Sequence, residues 1–505
     1  MPRANTRLGS IVGMTDLTLS AVLTSPAEIP ADVLVVGVLQ GADGPTVVPA
    51  LDGLPSDLSV LGVSGARDEV VRVPASGVAA SVVALVGLGD VVDEESLRWA
   101  AGSAVRQLTG VDRVALALPA STPAQGLAVL EGAAIASYEF DAFRSASASE
   151  SRRHARDLVL VSEVELEEAL VARAAVVAEA VHTVRDLATT PPQQMFPQAL
   201  ADEAVARAEG LPLTVTVLAE DELREGGFGG ILGVGQGSSR GPRLVKVEYR
   251  PEGDVKHLAL VGKGITYDTG GLSLKPAASM LGMKDDMTGA ATVLAVTVAA
   301  ARLQLPVRLT AWLCIAENMV SGTAIRPDDV LTIRGGTTVE VTNTDAEGRL
   351  VMADGLVAAS EEQPDAVVDV ATLTGAQVVA LGTRYVGVMG NDELASEVVA
   401  IADRVGETFW RMPLPSELRA RLKSDVADLV NATPGNTAAG MLLAGVFLNE
   451  FVGRREGSDA PLPWVHLDIA GPSNNKGGGY GYTGKGSTGV SVRTLLELAA
   501  VFSAS

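Results

Sequence analysis

Short apolar runs alternate with segments of helical spacing along the first third of the chain. The runs predict buried strands, and the longer segments predict amphipathic helices. The predicted strands cover residues 33–39, 82–88, 113–118 and 157–161, and the predicted helices cover residues 94–108 and 124–137. Because strands alternate with helices, this region is predicted to form an α/β layer with a largely parallel sheet.

A long helical segment without glycine or proline follows, over residues 164–188. Pro191 and Pro192 come directly after it, and proline cannot continue a helix. We therefore expect an N-terminal α/β domain over residues 1–165, a connecting helix within 166–192 and a second domain over 193–505.

The second region repeats the alternation on a larger scale. Its predicted strands cover residues 212–219, 257–262, 308–316, 338–343, 366–371, 385–389 and 464–469, and its predicted helices cover 198–209, 288–303 and 346–362. This order predicts a second α/β domain with a larger sheet.

Composition and charge narrow the class of protein. The 505 residues are 47% hydrophobic and 20% charged, which is typical of a globular protein with a sizeable core. Acidic residues number 61 against 39 basic ones, so the net charge is −22 and no nucleic-acid partner is expected. The single cysteine, Cys314, excludes an intrachain disulfide. No segment is typical of a membrane span or a signal peptide, so a cytoplasmic location without membrane contact is expected.

The histidines do not form a metal-binding motif. There are four, and none stands in an HExxH or Cys/His zinc pattern. His466 lies in the middle of a predicted strand and is interpreted as structural. Any metal site must therefore depend mainly on carboxylates.

Candidate ligands follow the predicted strand 257–262. Lys263 and Asp268 lie just beyond it, where ligands gather in open α/β sheets. Asp286 precedes the predicted helix 288–303, and its alternative role is an N-cap, which aspartate favours. Asp285 beside it leaves the choice between the two open.

A second acidic group follows the predicted strand 338–343. Asp345, Glu347 and Arg349 stand within five residues, and a solvated helix start would also favour acids there. If both strands belong to one sheet, four carboxylates can converge. Such a set could hold two divalent ions about 3.5–4 Å apart.

Two motifs carry a family resemblance. They read GKGITYDTGG at 262–271 and NTDAEGRL at 343–350, and together they resemble the leucyl aminopeptidase (cytosol aminopeptidase) family. Further similar stretches are MKDDM at 283–287, AENM at 316–319, ATLTG at 371–375 and HLDIAG at 466–471. The resemblance extends from about residue 185 to the end of the chain and is much weaker in the N-terminal lobe.

The resemblance implies a dinuclear site for Mn²⁺ or Zn²⁺. Its metal ligands would be Lys263, Asp268, Asp286, Asp345 and Glu347. Asp268 and Glu347 would bridge both ions, and the motif favours Asp286 over Asp285. A lysine ligand must be neutral, which requires its pKa to fall beside the ions.

The resemblance also implies a reaction and a fold. A water activated by two metal ions would hydrolyse the first peptide bond, with Lys275 stabilising the oxyanion and Arg349 holding a bicarbonate as general base. One ion would bind the free α-amine of a peptide substrate, which makes the enzyme an exopeptidase. The implied fold is a macro-domain-like N-terminal α/β lobe and a larger catalytic α/β lobe with a central mixed sheet. Relatives assemble as hexamers, so a homohexamer is expected.

A substrate pocket is implied on the same grounds. Its residues would be Met283, Asn343, Thr372, Leu373, Gly375 and Ala470. This mostly apolar lining would suit leucine and similar first residues. Ser473 stands near a position where a methionine is expected, which bears on the preferred residue.

Two alternative functions fit the sequence less well than an aminopeptidase. A different two-metal hydrolase, such as a phosphatase or nuclease, would need Arg/Lys clusters that hold phosphates, and the chain lacks them. A DNA-binding role is disfavoured by the net charge of −22.

Overall fold

The computed structural model describes residues 17–55, 57–74, 76–144 and 153–502. The chain divides into two compact units. One unit holds the described residues up to His182 together with the excursion Asn475–Gly486, and the other holds Thr183–Asn474 and the described residues from Ser487 onward.

The N-terminal unit is built on one sheet. Its strands are β1 (Thr18–Val22), β2 (Val33–Leu39), β3 (Thr46–Val48), β4 (Val70–Pro74), β5 (Val82–Gly89), β6 (Arg113–Ala117) and β7 (Asp157–Val161). They lie in the order β1-β7-β6-β2-β5-β4, and β3 pairs with β2. The pairings of β3 and β4 are antiparallel and the others are parallel. The prediction of a largely parallel α/β layer is confirmed.

Both faces of this sheet are buried. Val33 and Val35 of β2 belong to an apolar cluster with helices α1 (Glu94–Gln107) and α2 (Pro123–Ala136). Leu34 and Val36 belong to a second cluster on the opposite face. Burial on both faces explains why the strands are continuous apolar runs rather than alternating ones.

A 22-residue helix, α3 (Glu168–Thr189), follows β7. It begins at Glu168 rather than at residue 164. The boundary between the two units falls inside this helix, between His182 and Thr183.

The second unit contains the remaining elements apart from two short strands that span the unit boundaries. Its strands are β8 (Leu213–Leu218), β9 (Arg243–Tyr249), β10 (His257–Asp268), β11 (Arg308–Asn318), β12 (Val330–Thr332), β13 (Thr338–Glu340), β14 (Ala366–Ala371), β15 (Val386–Gly390), β16 (Phe409–Arg411), β17 (Leu429–Val430) and β18 (Trp464–Asp468), and the two short strands that come last are β19 (Asn474–Asn475) and β20 (Gly486–Ser487). Its helices are α4 (Pro197–Ala208), α5 (Glu220–Glu225), α6 (Gly229–Gly235), α7 (Ala277–Met280), α8 (Thr288–Arg302), α9 (Gly348–Glu361), α10 (Gly375–Leu381), α11 (Asp392–Val405), α12 (Gly440–Asn449) and α13 (Val492–Phe502).

The central sheet of this unit has eight strands in the order β16-β15-β18-β14-β10-β11-β9-β8. Four central strands, β18-β14-β10-β11, are mutually parallel, and antiparallel pairings add β9 and β8 on one side and β15 on the other. The expected central mixed sheet is therefore confirmed. One face packs on α9 and α12 around a large apolar core. Gly262 allows α8 to approach β10, because a Cβ there would lie 2.6 Å from Ala290 Cα.

Two strand predictions differ from the structure in ways that matter for the site. β10 continues to Asp268 instead of ending at residue 262, because it keeps pairing with β11 through Lys263 and Ile265. The strand predicted at 338–343 ends at Glu340. It pairs with β12 and β17 in a separate three-stranded sheet, so the expectation that both acidic groups follow strands of one sheet is wrong.

Within the described part of the chain, no helix is both long and apolar enough to cross a membrane.

Candidate metal centre

Three carboxylates from separate segments meet beyond the central sheet. Asp268 is the last residue of β10, Asp286 lies in the 3-10 turn Met283–Met287 before α8, and Glu347 directly precedes α9. All three are buried, and each offers an oxygen within 4.8 Å of the other two. The chain thus gathers acids that lie far apart in the sequence.

Lys263 lies inside this cluster. Its Nζ is 2.8 Å from Asp286 Oδ2 and 3.0 Å from Glu347 Oε1, and it donates to the carbonyl oxygen of Thr372 at 3.0 Å. The side chain is 4% exposed. A buried lysine that contacts two acids offsets part of their negative charge.

Lys275 and Asp345 complete the group at its more accessible side. Lys275 Nζ lies 2.8 Å from Asp268 Oδ2 and also forms an ion pair with Asp345. The side chain of Asp345 is 32% exposed, whereas that of Asp268 is 3% exposed. The structure thus brings the five predicted metal ligands and Lys275 into one connected cluster.

The alternative helix-cap roles are not observed. Met287 is the N-cap residue of α8 and makes no side-chain cap bond, so Asp286 is not the cap. Glu347 occupies the N-cap position of α9, but its side chain makes no cap bond and the residue is 2% exposed. It is therefore not part of a solvated helix start.

Burial is the largest single influence on the pKa of each of the three acids. Burial, together with the charge of Glu347, raises the pKa of Asp268 to about 6. The same two effects raise the pKa of Asp286 to about 8, although Lys263 opposes them. For Glu347 the effect of burial is outweighed by Lys263 and Lys275, and its pKa is lowered.

Burial acts on the pKa of the two lysines in the opposite direction. Burial favours the neutral amine, but the neighbouring acids outweigh it and raise the pKa of Lys263 and of Lys275 above the usual range. Without metal ions, both lysines are therefore ammonium groups. Lys263 has to lose a proton before it can donate a lone pair.

The donor set fits divalent metal ions. Glu347 Oε2 is buried and has no hydrogen-bond partner among the described residues. A buried carboxylate oxygen of this kind is costly unless a cation satisfies it. Several carboxylates and one amine are ligands that Mn²⁺ and Zn²⁺ accept.

Arg349 lies near the acids, close enough for its charge to interact with that of Glu347. Its guanidinium donates to the carbonyl oxygen of Asn431 at 2.6 Å and lies 5.9 Å from the centre of the Phe447 ring. Burial lowers its pKa to about 10, so it remains charged at neutral pH. A buried cation next to the cluster can hold a small anion.

Residues assigned to the substrate pocket lie on the surrounding loops. Thr372 and Leu373 follow β14, Gly375 begins α10 and Ala470 follows β18. Met283 begins the turn that carries Asp286, and Asn343 Oδ1 accepts the backbone N–H of Asp345 at 2.9 Å.

The sequence did not indicate which residues hold these groups in place. Asn318 Nδ2 donates to Asp268 Oδ1 at 2.8 Å, and Thr372 Oγ1 donates to Asp286 Oδ1 at 2.7 Å. Asn431 is fully buried and contacts both Arg349 and Asn343. Asn318 stands in the AENM stretch, which was a usable signal, whereas Asn431 lies outside every motif recognised from the sequence.

The cluster of buried acids with a lysine among them, at the end of a mixed α/β sheet, is the kind of site that a metal-dependent hydrolase uses. Residues 182–496 match the family described as "Cytosol aminopeptidase family, catalytic domain", and residues 49–147 match its N-terminal domain. The chain belongs to the cytosol aminopeptidase family and is a metal-dependent aminopeptidase. The resemblance inferred from the two motifs is confirmed.

Individual relatives agree with this assignment. A "Probable cytosol aminopeptidase" of Clavibacter michiganensis subsp. michiganensis is 62% identical over 419 residues, which are 82% of this chain and 84% of the relative. One from Streptomyces griseus subsp. griseus is 49% identical and covers 96% of this chain and 98% of its own.

Solved structures show the same fold. The bottromycin maturation enzyme BotP in complex with Mn superposes with a TM-score of 0.83 at 37% identity, over 94% of this chain and 100% of that one. A mutant of tomato leucine aminopeptidase gives a TM-score of 0.84 at 30% identity, over 96% of each chain.

Proposed function

We propose that this protein removes the N-terminal residue from peptides with a free α-amine, with preference for leucine and similar apolar residues. The observation that carries the proposal is the cluster of Asp268, Asp286 and Glu347, whose ligand oxygens lie within 4.8 Å of one another. Lys263 Nζ reaches two of these acids at 2.8 and 3.0 Å. Burying a carboxylate is costly, so a cluster that served only as ion pairs would not need three buried acids.

Two divalent ions, Mn²⁺ or Zn²⁺, would bind this cluster. Lys263, Asp268, Asp286 and Glu347 would hold one ion, and Asp268, Asp345 and Glu347 would hold the other. The greater exposure of Asp345 supports its assignment to the more exchangeable ion. When bound, the ions supply an activated water and polarise the peptide carbonyl. The solved complex of the relative BotP with Mn supports manganese as one choice.

The chain's own residues supply the remaining chemistry. In the metal-free protein Lys275 carries its proton, because Asp268 and Glu347 raise its pKa against the effect of burial. In that state its ammonium can stabilise the negative charge that develops on the carbonyl oxygen. Arg349 would hold a bicarbonate, which serves as the general base. With a bicarbonate as the base, proton transfer would not need a histidine, and none is found among the described residues of the cluster.

Substrate selection follows from the surrounding loops. Met283, Asn343, Thr372, Leu373, Gly375 and Ala470 would line the pocket for the first side chain. An acetylated N-terminus lacks the amine that would bind an ion, so such peptides would not be cleaved. We further propose a homohexamer, which the family resemblance implies, and a cytoplasmic location, in keeping with the names of the relatives.

Hydrolysis of leucine p-nitroanilide tests the proposal. Activity should disappear after chelation, return with Mn²⁺ or Zn²⁺, and be absent with the N-acetylated substrate. Asp221→Asn is a suitable control for acid substitutions, because the side chain of Asp221 is 91% exposed. Equal cleavage of the acetylated and free substrates would contradict the amine requirement.

A further inference from the structure

Asp468, the last residue of β18, connects two loops of the catalytic unit. Its Oδ1 accepts the backbone N–H groups of Leu373 and Ala470, both at 3.2 Å, and its Oδ2 accepts the hydroxyl of Thr374 at 2.7 Å. The residue is fully buried. One carboxylate thus ties the loop after β14 to the loop after β18.

Gln377 makes a second connection between the same loops. Its Oε1 accepts the backbone N–H of Gly471 at 2.6 Å, and its Nε2 donates to the carbonyl oxygen of Tyr385 at 2.7 Å. The backbone N–H of Gln377 donates to Thr374 Oγ1 at 3.0 Å, so both connections share one hydroxyl. A Cβ at Gly471 would lie 2.2 Å from the carbonyl oxygen of Gly382, which shows how closely the loops approach.

These loops carry most of the proposed substrate pocket. The pocket residues on them are Thr372, Leu373, Gly375 and Ala470. The first loop is also tied to the metal centre, since Thr372 Oγ1 donates to Asp286 Oδ1 at 2.7 Å and Lys263 donates to the carbonyl oxygen of Thr372 at 3.0 Å. Any change in the spacing of the two loops therefore alters the pocket relative to the metal ligands.

Asp468 and Gln377 cannot act by contact with the substrate. Both have a relative exposure of 0%. Each binds the opposite loop through its oxygen atoms, and Asp468 also accepts the backbone N–H of Ala470 on its own loop. Buried hydrogen bonds of this kind restrict the spacing of the backbone. Their effect has to pass through the loops.

We propose that Asp468, Thr374 and Gln377 form a loop clamp that sets the width of the pocket for the first side chain. The clamp residues are positioning residues that determine how strongly leucine is preferred over alanine. This inference rests on the proposed aminopeptidase function and its pocket. A pocket of fixed width rewards the side chain that fills it, whereas a slackened pocket discriminates less.

Thr374→Val is the main test, because it removes the shared hydroxyl and nearly preserves the volume of the side chain. The full-length, metal-loaded protein is assayed with leucine and alanine p-nitroanilides. The ratio of kcat/KM for leucine to that for alanine should fall at least about fivefold, because the hydroxyl makes two hydrogen bonds and the loss of one alone would account for about fivefold. Metal content should stay at that of the wild type.

Three further variants separate positioning from general stability. Thr374→Ser keeps the hydroxyl and should restore the wild-type ratio. Gln377→Met removes the second connection and should lower the ratio in the same direction. Thr297→Val removes a similar buried hydroxyl bond, of 2.8 Å to Val293 in α8, and should leave the ratio unchanged.

The outcomes distinguish the two proposals. A wild-type protein that releases no leucine would overturn the proposed function itself. If the wild type is active and the leucine-to-alanine ratios of Thr374→Val and Gln377→Met both stay within twofold of the wild-type ratio, the loop clamp alone is overturned. Equal losses of activity on both substrates would also overturn it, because a merely structural role lowers both together.

Discussion

The amine nitrogen of Lys263 lies 3.0 Å from Oε1 of Glu347, although one residue belongs to β10 and the other precedes α9. This contact joins the two sequence motifs, which are also joined by the hydrogen bond from the Thr344 hydroxyl to the carbonyl oxygen of Gly270 at 2.6 Å. Gly348 makes the contact of Lys263 with Glu347 possible, because a Cβ there would lie 2.7 Å from Lys263 Nζ. The glycine in the motif NTDAEGRL is thus explained by the space that the lysine needs.

Metal binding is expected to release protons and to become tighter as pH rises between about 6 and about 8, the pKa values of Asp268 and Asp286 in the metal-free cluster. Burial raises the pKa of both acids, and each must be deprotonated to bind an ion. Lys263 must also lose its proton. Calorimetric titration of the metal-free protein with Mn²⁺, in buffers of different ionisation enthalpy, counts the protons.

Lys263→Met is the matched variant for this measurement. At a pH well above 8 it should release about one proton fewer per chain on binding Mn²⁺, whereas at lower pH the loss of the lysine charge raises the pKa of Asp286 and would mask the difference. The same proton count in wild type and variant would show that Lys263 keeps its proton and is not a ligand.

Glu347→Gln is expected to abolish turnover without unfolding the protein. The change neutralises the acid that would bridge both ions and leaves an amide where a cation should bind. Activity should fall by about 100-fold or more, since substitutions of residues that only hydrogen-bond to a metal ligand already cost about 10–100-fold. Metal analysis and circular dichroism accompany the assay, with Asp221→Asn as control. An unfolded variant would point to a structural role for Glu347 instead.

Much of this fold and site could be predicted from the sequence, and the exceptions have physical causes. Strands buried on both faces, such as β2 and β14, give unbroken apolar runs, and their limits agree with the prediction. β13 was placed in the wrong sheet, because periodicity reports burial and not the partner of a strand. Asn431 gave no signal, since an isolated asparagine far from the motifs shows its contacts to Arg349 only in the folded chain.

Arg349→Ala is expected to leave the metal content unchanged and to lower kcat by about 100-fold, the lower end of what a positioned general base contributes. The guanidinium donates to the carbonyl oxygen of Asn431, and no ion pair to a cluster acid is found among the described residues, so its removal should leave the ligands in place. Added bicarbonate should stimulate the wild type and not the variant. Loss of metal from Arg349→Ala would contradict the assigned role, and Arg349→Lys serves as the charge-conserving control.

Acid should destabilise the protein partly through His257. This residue begins β10 and is buried, and its Nε2 lies 2.9 Å from the hydroxyl oxygen of Thr310. Burial, helped by the charge of Arg308, lowers its pKa to about 4. At neutral pH the imidazole is therefore uncharged, and its approach to Glu362 at 3.8 Å is not an ion pair.

The sign of the effect follows from proton binding. Between pH 6.5 and about 4 the unfolded chain binds a proton at this histidine and the folded chain does not. The free energy of unfolding should thus fall as pH falls through this window, by up to roughly 3 kcal/mol from this group. Denaturant unfolding at pH 7 and pH 5 should show a smaller loss in His257→Gln than in wild type. Thr310→Val keeps the imidazole and should retain the wild-type loss, whereas equal losses in wild type and His257→Gln would contradict the assignment.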